Sequence, residues 1–465
     1  MSNGQKDAVR DRLRDERMLM DYTWLWSLAL LAAVIPACLY SGEGTDIFSN
    51  FRYLLFSPAQ LTPDYFGVGS LGSALLNAGL CGIAVDLLLL VSRVRFSSTL
   101  LAGYYLIIAH CFYGLNILNM WLPLLAVLLY TKLRKVSLQD TLHIALFSTS
   151  LGPFITFFLF YYGRDVSAGP HFTLSGLLLA ILFSLTAAFL IPALLPGTAR
   201  MHRGFNLYKA GLAIGLFGIF AYAFFFKALG AAGDPGERRS NPLYEAAGRS
   251  YWLFMNCFFL FVFLFTILLG WLKNGKSFRG YRKLWRCDSW QDDFQAKFGT
   301  PLTWINIGLY GLSVLLYLDL TLLLSDGVGF TGPVSGAVIA AITFSAAGQT
   351  VRNVWPVTLG YALFYGAVRL IGLCTGLPVS WSLSFQPYIN GIAFATGLCP
   401  FTGRYGMKYG IIAGVLDAIL CTSTAAMHGG FMLYNGGLTA GLTALLLLPV
   451  LDFYKVPERE YVKGE

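Results

Sequence analysis

The chain has 465 residues, 56% hydrophobic and only 12% charged, with mean hydropathy +0.62 and a formal net charge of +9. So few charges cannot coat a soluble domain, and the apolar runs are continuous rather than alternating, which excludes a β-barrel. Cations flanking membrane spans account for the positive charge, so no nucleic-acid partner is needed.

Residues 1–20 form a charged tail (Lys6, Arg10, Arg12, Arg14, Arg17) without the pattern of a cleaved signal peptide. Apolar stretches follow near 23–40, 69–92, 97–114, 116–131, 143–163, 173–196 and 206–230. About 20 apolar residues cross a 30 Å hydrocarbon core as a helix, so each is read as a span. The segment Ile47–Phe56 is too short to span and is predicted to lie flat at the surface. Residues 231–250 are polar and read as an external linker. A second set lies near 251–272, 302–324, 328–346, 354–373, 383–403, 407–427 and 434–454. Between its first two members, the basic stretch Asn274–Gly299 with Trp285 and Trp290 reads as an amphipathic cytoplasmic connector. The prediction is an all-α membrane protein of about 14 transmembrane helices, with repeats at 1–230 and 251–465.

With the N-terminus in the cytoplasm, most of the 33 Lys and Arg fall in cytoplasmic segments, as the positive-inside rule expects. Both termini are then cytoplasmic, in a bacterial inner membrane. An odd number of spans per half turns a direct sequence repeat into an inverted structural one.

The repeat is written in the residues. His202-Arg-Gly204-Phe205-Asn-Leu207-Tyr208-Lys209-Ala-Gly211-Leu212 recurs 226 positions later as His428-Gly-Gly430-Phe431-Met-Leu433-Tyr434-Asn435-Gly-Gly437-Leu438. Weaker echoes follow in the same order. Asn77-Ala-Gly79-Leu80 matches Asn306-Ile-Gly308-Leu309, and Asn119-x-Trp121 matches Asn353-x-Trp355. Ser150-Leu-Gly-Pro-Phe154 matches Gly397-Leu-Cys-Pro-Phe401.

Several of these residues are candidates for a solute path. Glycines such as Gly211 and Gly437 allow broken helices, whose freed backbone groups bind polar solutes, or close helix packing. Tyr208, Lys209, Tyr434 and Asn435 would supply polarity beside such breaks. Asn77 and Asn306 must be paired inside the bundle, through a solute contact or an interhelical hydrogen bond. Asn119 and Asn353 read as caps of broken helices or as interfacial turns anchored by tryptophan. Asp86, Asp319 and Asp417 stand in apolar surroundings and are candidates for proton or sodium coupling, or pair with a cation near a span end. The histidines and eight cysteines show no ligand spacing, so no metal site or other cofactor is expected. No phosphate-binding loop and no catalytic constellation is present, so an enzyme is not expected.

On its Gly-Phe-x-Leu-Tyr-x-x-Gly-Leu element the chain resembles an uncharacterised bacterial family of polytopic membrane proteins, a domain of unknown function with tandem repeats. That family implies no substrate. A second resemblance is to urea transporters, whose halves carry a Gly-aromatic-Asn-Gly-x-Leu element similar to that in His428–Leu442. It implies inverted repeats around a narrow pore for a small neutral solute. The chain departs from it in its greater number of spans and in Lys209 where Asn is expected.

The expected function is therefore transport of a small polar solute between two inverted halves by ion-coupled alternating access. The alternatives are a passive urea-channel-like pore and a membrane-embedded enzyme or lipid-handling protein. The expected partners are the bilayer, the solute, and a proton or sodium ion; a homo-oligomer is compatible with this reading.

Overall fold

The computed structural model describes residues 3–164, 169–231, 238–290, 292–379 and 382–459, with side chains from residue 13 onward. Residues 232–237 of the expected linker, and the side chains of Lys6, Arg10 and Arg12, lie outside the described residues. The first half contains α1 (Asn3–Ser41), α2 (Ile47–Phe56), α3 (Tyr65–Val68), α4 (Leu71–Ser92), α5 (Ser98–His110), α6 (Trp121–Arg134), α7 (Leu138–Ser148), α8 (Gly152–Phe160), α9 (Leu174–Met201) and α10 (Lys209–Tyr222). After α11 (Pro242–Ala246) the second half contains α12 (Trp252–Lys273), α13 (Tyr281–Trp285), α14 (Phe294–Phe298), α15 (Thr300–Leu324), α16 (Gly332–Ala341), α17 (Val351–Thr375), α18 (Gln386–Ala395), α19 (Cys399–Tyr405), α20 (Met407–Met427) and α21 (Asn435–Phe453). The long helices pack as α1 on α4, α12 on α15, α17 on α20 and α10 on α21.

Among the described residues, ten helices are long and apolar enough to cross a membrane, not fourteen. The stretches expected to span at 97–114, 116–131 and 328–346 become α5, α6 and α16, of 13, 14 and 10 residues. The stretch at 383–403 is split into α18 and α19 by a turn at Thr396–Leu398. At 1.5 Å per residue, α5 and α16 reach only about 20 and 15 Å. Their apolarity has another cause: α16 is buried along its whole length and α5 nearly so, and the two pack against each other.

The connectors make these short helices sufficient. Segment 57–68 receives the end of α5 and the start of α16. Tyr65 N–H donates to Phe112 O (3.3 Å), and Gly332 N–H to Asp64 Oδ1 (2.9 Å). Segment 286–298 does the reverse. Phe294 N–H donates to Ala346 O (2.9 Å), and Ser98 Oγ, at the start of α5, to Asp293 Oδ1 (2.8 Å). The two half-helices therefore run antiparallel between opposite ends of the bundle. α5 and α6 also form a hairpin that returns to one side, because Gln139 Nε2 donates to Arg95 O and Gln139 Oε1 accepts from Arg95 N–H.

Each half-helix ends in a turn held from a neighbouring long helix. Asn77 Nδ2 on α4 donates to Cys111 O (3.0 Å) and Leu115 O (2.9 Å), and its Oδ1 accepts from Ile117 N–H (3.1 Å). Asn306 Nδ2 on α15 donates to Ser345 O (2.7 Å) and Gln349 O (2.8 Å), and its Oδ1 accepts from Tyr281 Oη (3.2 Å). Within the turns, Asn119 Nδ2 donates to Gly114 O and Asn353 Nδ2 to Gly348 O, both glycines having φ near +120°. Buried carbonyls freed by a helix break need partners, and these asparagines supply them.

Candidate functional site

The duplicated motif forms the turn between two long helices rather than a break within one. His202 closes α9 and Lys209 opens α10; His428 closes α20 and Asn435 opens α21. The chain folds back at Gly204 (φ +86°) and Gly430 (φ +77°), where a side chain would be strained. His202 Nδ1 accepts from Gly204 N–H and His428 Nδ1 from Met432 N–H, both at 3.3 Å. Phe205 packs on Phe401 and Tyr405, and Phe431 packs on Phe154, Phe157 and Phe226.

The next two motif positions reach across to the opposite half. Leu207 N–H donates to Gly397 O (2.9 Å), and Leu433 N–H donates to Ser150 O (2.9 Å). Tyr208 and Tyr434 follow and meet each other, with ring centres 5.9 Å apart. One turn further, α10 and α21 cross at Gly211 and Gly437. A Cβ on Gly211 would lie 2.4 Å from the Gly437 carbonyl carbon, so only glycine permits this approach. The connectors join in the same exchange: Leu61 N–H donates to Gly430 O (2.9 Å), and Trp290 Nε1 to Arg203 O (3.0 Å).

The two tyrosines form the middle of an aromatic cluster. Tyr208 contacts Phe344 (4.8 Å) and Phe394 (5.0 Å); Tyr434 contacts Phe394 (5.7 Å), Phe147 (6.1 Å) and His110 (6.4 Å). Phe147 and Phe344 also line a cavity of about 470 Å³, together with Ser98, Thr99, His143, Lys209, Asp292 and Asp293. Lys209 is exposed there, and Asp292 pairs with Lys297. The cavity thus leads from the end of the bundle bearing segment 286–298 to the cluster where the halves meet.

The predicted site residues are distributed unevenly around this point. Tyr208, Tyr434, Gly211 and Gly437 lie at the meeting of the halves, and Lys209 lies at the cavity wall. Asn435 Oδ1 is taken up by His428 Nε2 (2.9 Å). Asn77 and Asn306 are committed to the turns of the half-helices, so they form interhelical hydrogen bonds and do not line the cavity. The three carboxylates lie apart from one another and pair with neutral groups, not cations. Asp86 Oδ2 accepts from Ser27 Oγ (2.6 Å) between α1 and α4. Asp319 Oδ1 accepts from Trp252 Nε1 (2.7 Å) and Asn256 Nδ2 (3.1 Å) between α12 and α15. Asp417, fully buried on α20, accepts from Tyr361 Oη (2.5 Å) on α17 and Thr443 Oγ1 (3.1 Å) on α21.

Two carboxylates were missed in the sequence. Asp64 and Asp293 each cap a short connector helix, at Phe66 N–H and Ala296 N–H, and each holds the start of the other half's half-helix. They are 229 positions apart, the spacing of Asn77 and Asn306, so extending that offset upstream would have found them. Burial pushes the Asp64 carboxyl above the ordinary carboxylate range, against hydrogen bonds from Tyr244 and from the Gly332, Phe66 and Gly67 N–H groups. No group of His, Cys, Asp or Glu among the described residues has the arrangement of a metal site.

A family model described as a protein of unknown function, DUF1576, matches residues 43–227 and 273–453, the two halves just described. No curated protein and no solved structure matches the chain.

Proposed function

We propose, for a chain that belongs to the DUF1576 family, that it moves a small polar solute across a membrane along a path between its two halves, by ion-coupled alternating access. The observation that carries this reading is the cavity whose lining joins Asp292 and Asp293 at one end of the bundle to Phe147 and Phe344 of the aromatic cluster where the halves interlock. A cavity that reaches the junction of two repeated units is the geometry from which one half can rock against the other. On this reading the halves are inverted repeats in a cell membrane, with segment 286–298 cytoplasmic, and the structure is open to the cytoplasm. Asp417 is the coupling candidate with the best support, because it is fully buried where α17, α20 and α21 of the second half converge, and α21 is the helix that crosses α10 of the first half.

The test is solute flux in liposomes containing the purified protein, with and without an imposed proton or sodium gradient. Gradient-driven accumulation that Asp417→Asn uncouples supports the reading. Downhill flux indifferent to both gradients supports instead a passive pore, the second reading, which the absence of fixed charge on the cluster residues favours. No flux of any solute under either gradient rejects both.

A further inference from the structure

The polar atoms around the aromatic cluster differ between the halves. Tyr208 Oη donates to Ala340 O (2.7 Å). Tyr434, its counterpart, is equally buried, yet its Oη has no hydrogen-bond partner. Two more buried atoms, on residues that adjoin Tyr434 or the residue before it, share that condition. His110 holds the place corresponding to Phe344 in the other half, and its Nε2 is unpaired. Ser150 holds the place of Gly397, and its Oγ is unpaired. The His110 ring centre is 6.4 Å from that of Tyr434, and the Ser150 carbonyl accepts from Leu433, the residue preceding Tyr434.

Buried polar atoms are almost always satisfied, and an orphan calls for an explanation. Here the three orphans belong to residues that adjoin one another, where the other half has apolar residues or a satisfied hydroxyl. The rings around them (Phe147, Tyr208, Phe344 and Phe394) carry no fixed charge. An ion would lose its hydration there with nothing to replace it, whereas a neutral polar molecule loses only hydrogen bonds that the three orphans can restore. Two hydroxyls that donate or accept, one imidazole nitrogen and flat aromatic walls suit a small planar molecule with both N–H and C=O groups.

We infer that His110, Ser150 and Tyr434 form a binding point for an uncharged carboxamide- or urea-like solute on the path between the halves. This rests on the transport reading above and names its substrate class.

The experiment compares formamide, acetamide and urea with guanidinium, which has the shape of urea and a positive charge, and with glycine and phosphate. Fluxes are read from light scattering of liposomes containing the full-length protein, with and without a proton gradient. The expected result is neutral-amide flux well above that of protein-free liposomes and no guanidinium flux. Tyr434→Phe and His110→Phe should each lower that flux at least tenfold. Tyr434→Phe keeps the ring and removes an unpaired hydroxyl, so its unfolding midpoint should match or exceed the parent's, which separates lost binding from lost folding. Guanidinium moving as fast as urea, or both variants passing amides at the parent rate, overturns the inference. Movement of only the charged probes overturns it while leaving the transport reading in place. Movement of no probe, under either condition, overturns the inference, and the transport reading falls with it only if no solute moves under the proton and sodium gradients described above.

Discussion

Asn435 accepts the Nε2–H of His428, whereas Lys209 at the matching position offers His202 another donor. The Nε2 of His202 is buried and unpaired. Because Nδ1 of each histidine already accepts a backbone N–H, the proton must sit on Nε2 and needs an acceptor. Lys209→Asn should supply one, stabilising the protein by about 1 kcal/mol, seen as a higher unfolding midpoint in detergent. It should also change the rate or selectivity of flux, since it removes the cation from the cavity wall. An unchanged flux would leave Lys209 no part in transport. The asparagines of the half-helix turns predict the opposite sign. Asn77→Ala or Asn306→Ala strands two buried carbonyls, at about 1–3 kcal/mol per group, and should sharply reduce the monodisperse fraction on size exclusion. Normal yield of either variant would show that the turns are held by other means. The tyrosines and glycines of the motif, 226 residues apart, and Asn77 with Asn306, 229 apart, were legible because both copies kept the same type within a longer shared run, which the isolated pair Asp64 and Asp293 lacks. His110 and Ser150 were not, because each copy has a different residue there, and comparing the halves finds only what they share.

At the scale of helices, what the sequence conceals is depth. Hydropathy reports that α5 and α16 avoid water but not whether lipid or protein covers them, so both read as spans. Only the contacts with segments 57–68 and 286–298 show that folded-in connectors shorten the distance each half-helix must cover. The long helices, with one face outward, were legible from length and composition alone. Where two of them cross, the permitted approach depends on single atoms. Gly211→Ala would drive a methyl group into the Gly437 backbone, and overpacking of this kind costs about 1–3 kcal/mol. Gly366, inside α17, has open space around its missing Cβ, and Gly366→Ala should stabilise by about 0.5–1 kcal/mol through helix propensity. Thermal unfolding of the two variants in one detergent should move them in opposite directions; equal shifts would mean that the α10–α21 crossing is not tightly packed.

For the molecule as a whole, the hydrogen bonds sort surface segments onto two ends. Residues 95, 98, 139 and 293 are joined at one end, and 64, 241 and 332 at the other. Asn241 is placed there by its bond to Gly69 O, and Tyr244, one turn on, by its bond to Asp64. Single cysteines at the exposed Gln139 and Ala246, the latter on the same short helix as Tyr244, should therefore react with an impermeant reagent from opposite faces of the membrane. Labelling of both from one face would refute the proposed orientation. Each half also depends on the other for the acceptors of its motif: Leu207 on Gly397, Leu433 on Ser150. Residues 1–230 and 238–465 expressed separately should each fail to give a monodisperse product, and co-expression should restore the complex.

That mutual dependence has a historical reading. A chain of half this length with the same motif would have its Leu N–H and the start of its half-helix satisfied only by a second copy, so it would fold only as fast as copies met. Joining the copies through one peptide raises the effective concentration of the partner to roughly the millimolar range and makes assembly independent of expression level. It also ends the obligation of the two copies to be identical. Once fused, one position could become Lys209 while its twin stayed Asn435, and one could become His110 opposite Phe344, differences that a symmetric dimer of a single gene product has no means to encode.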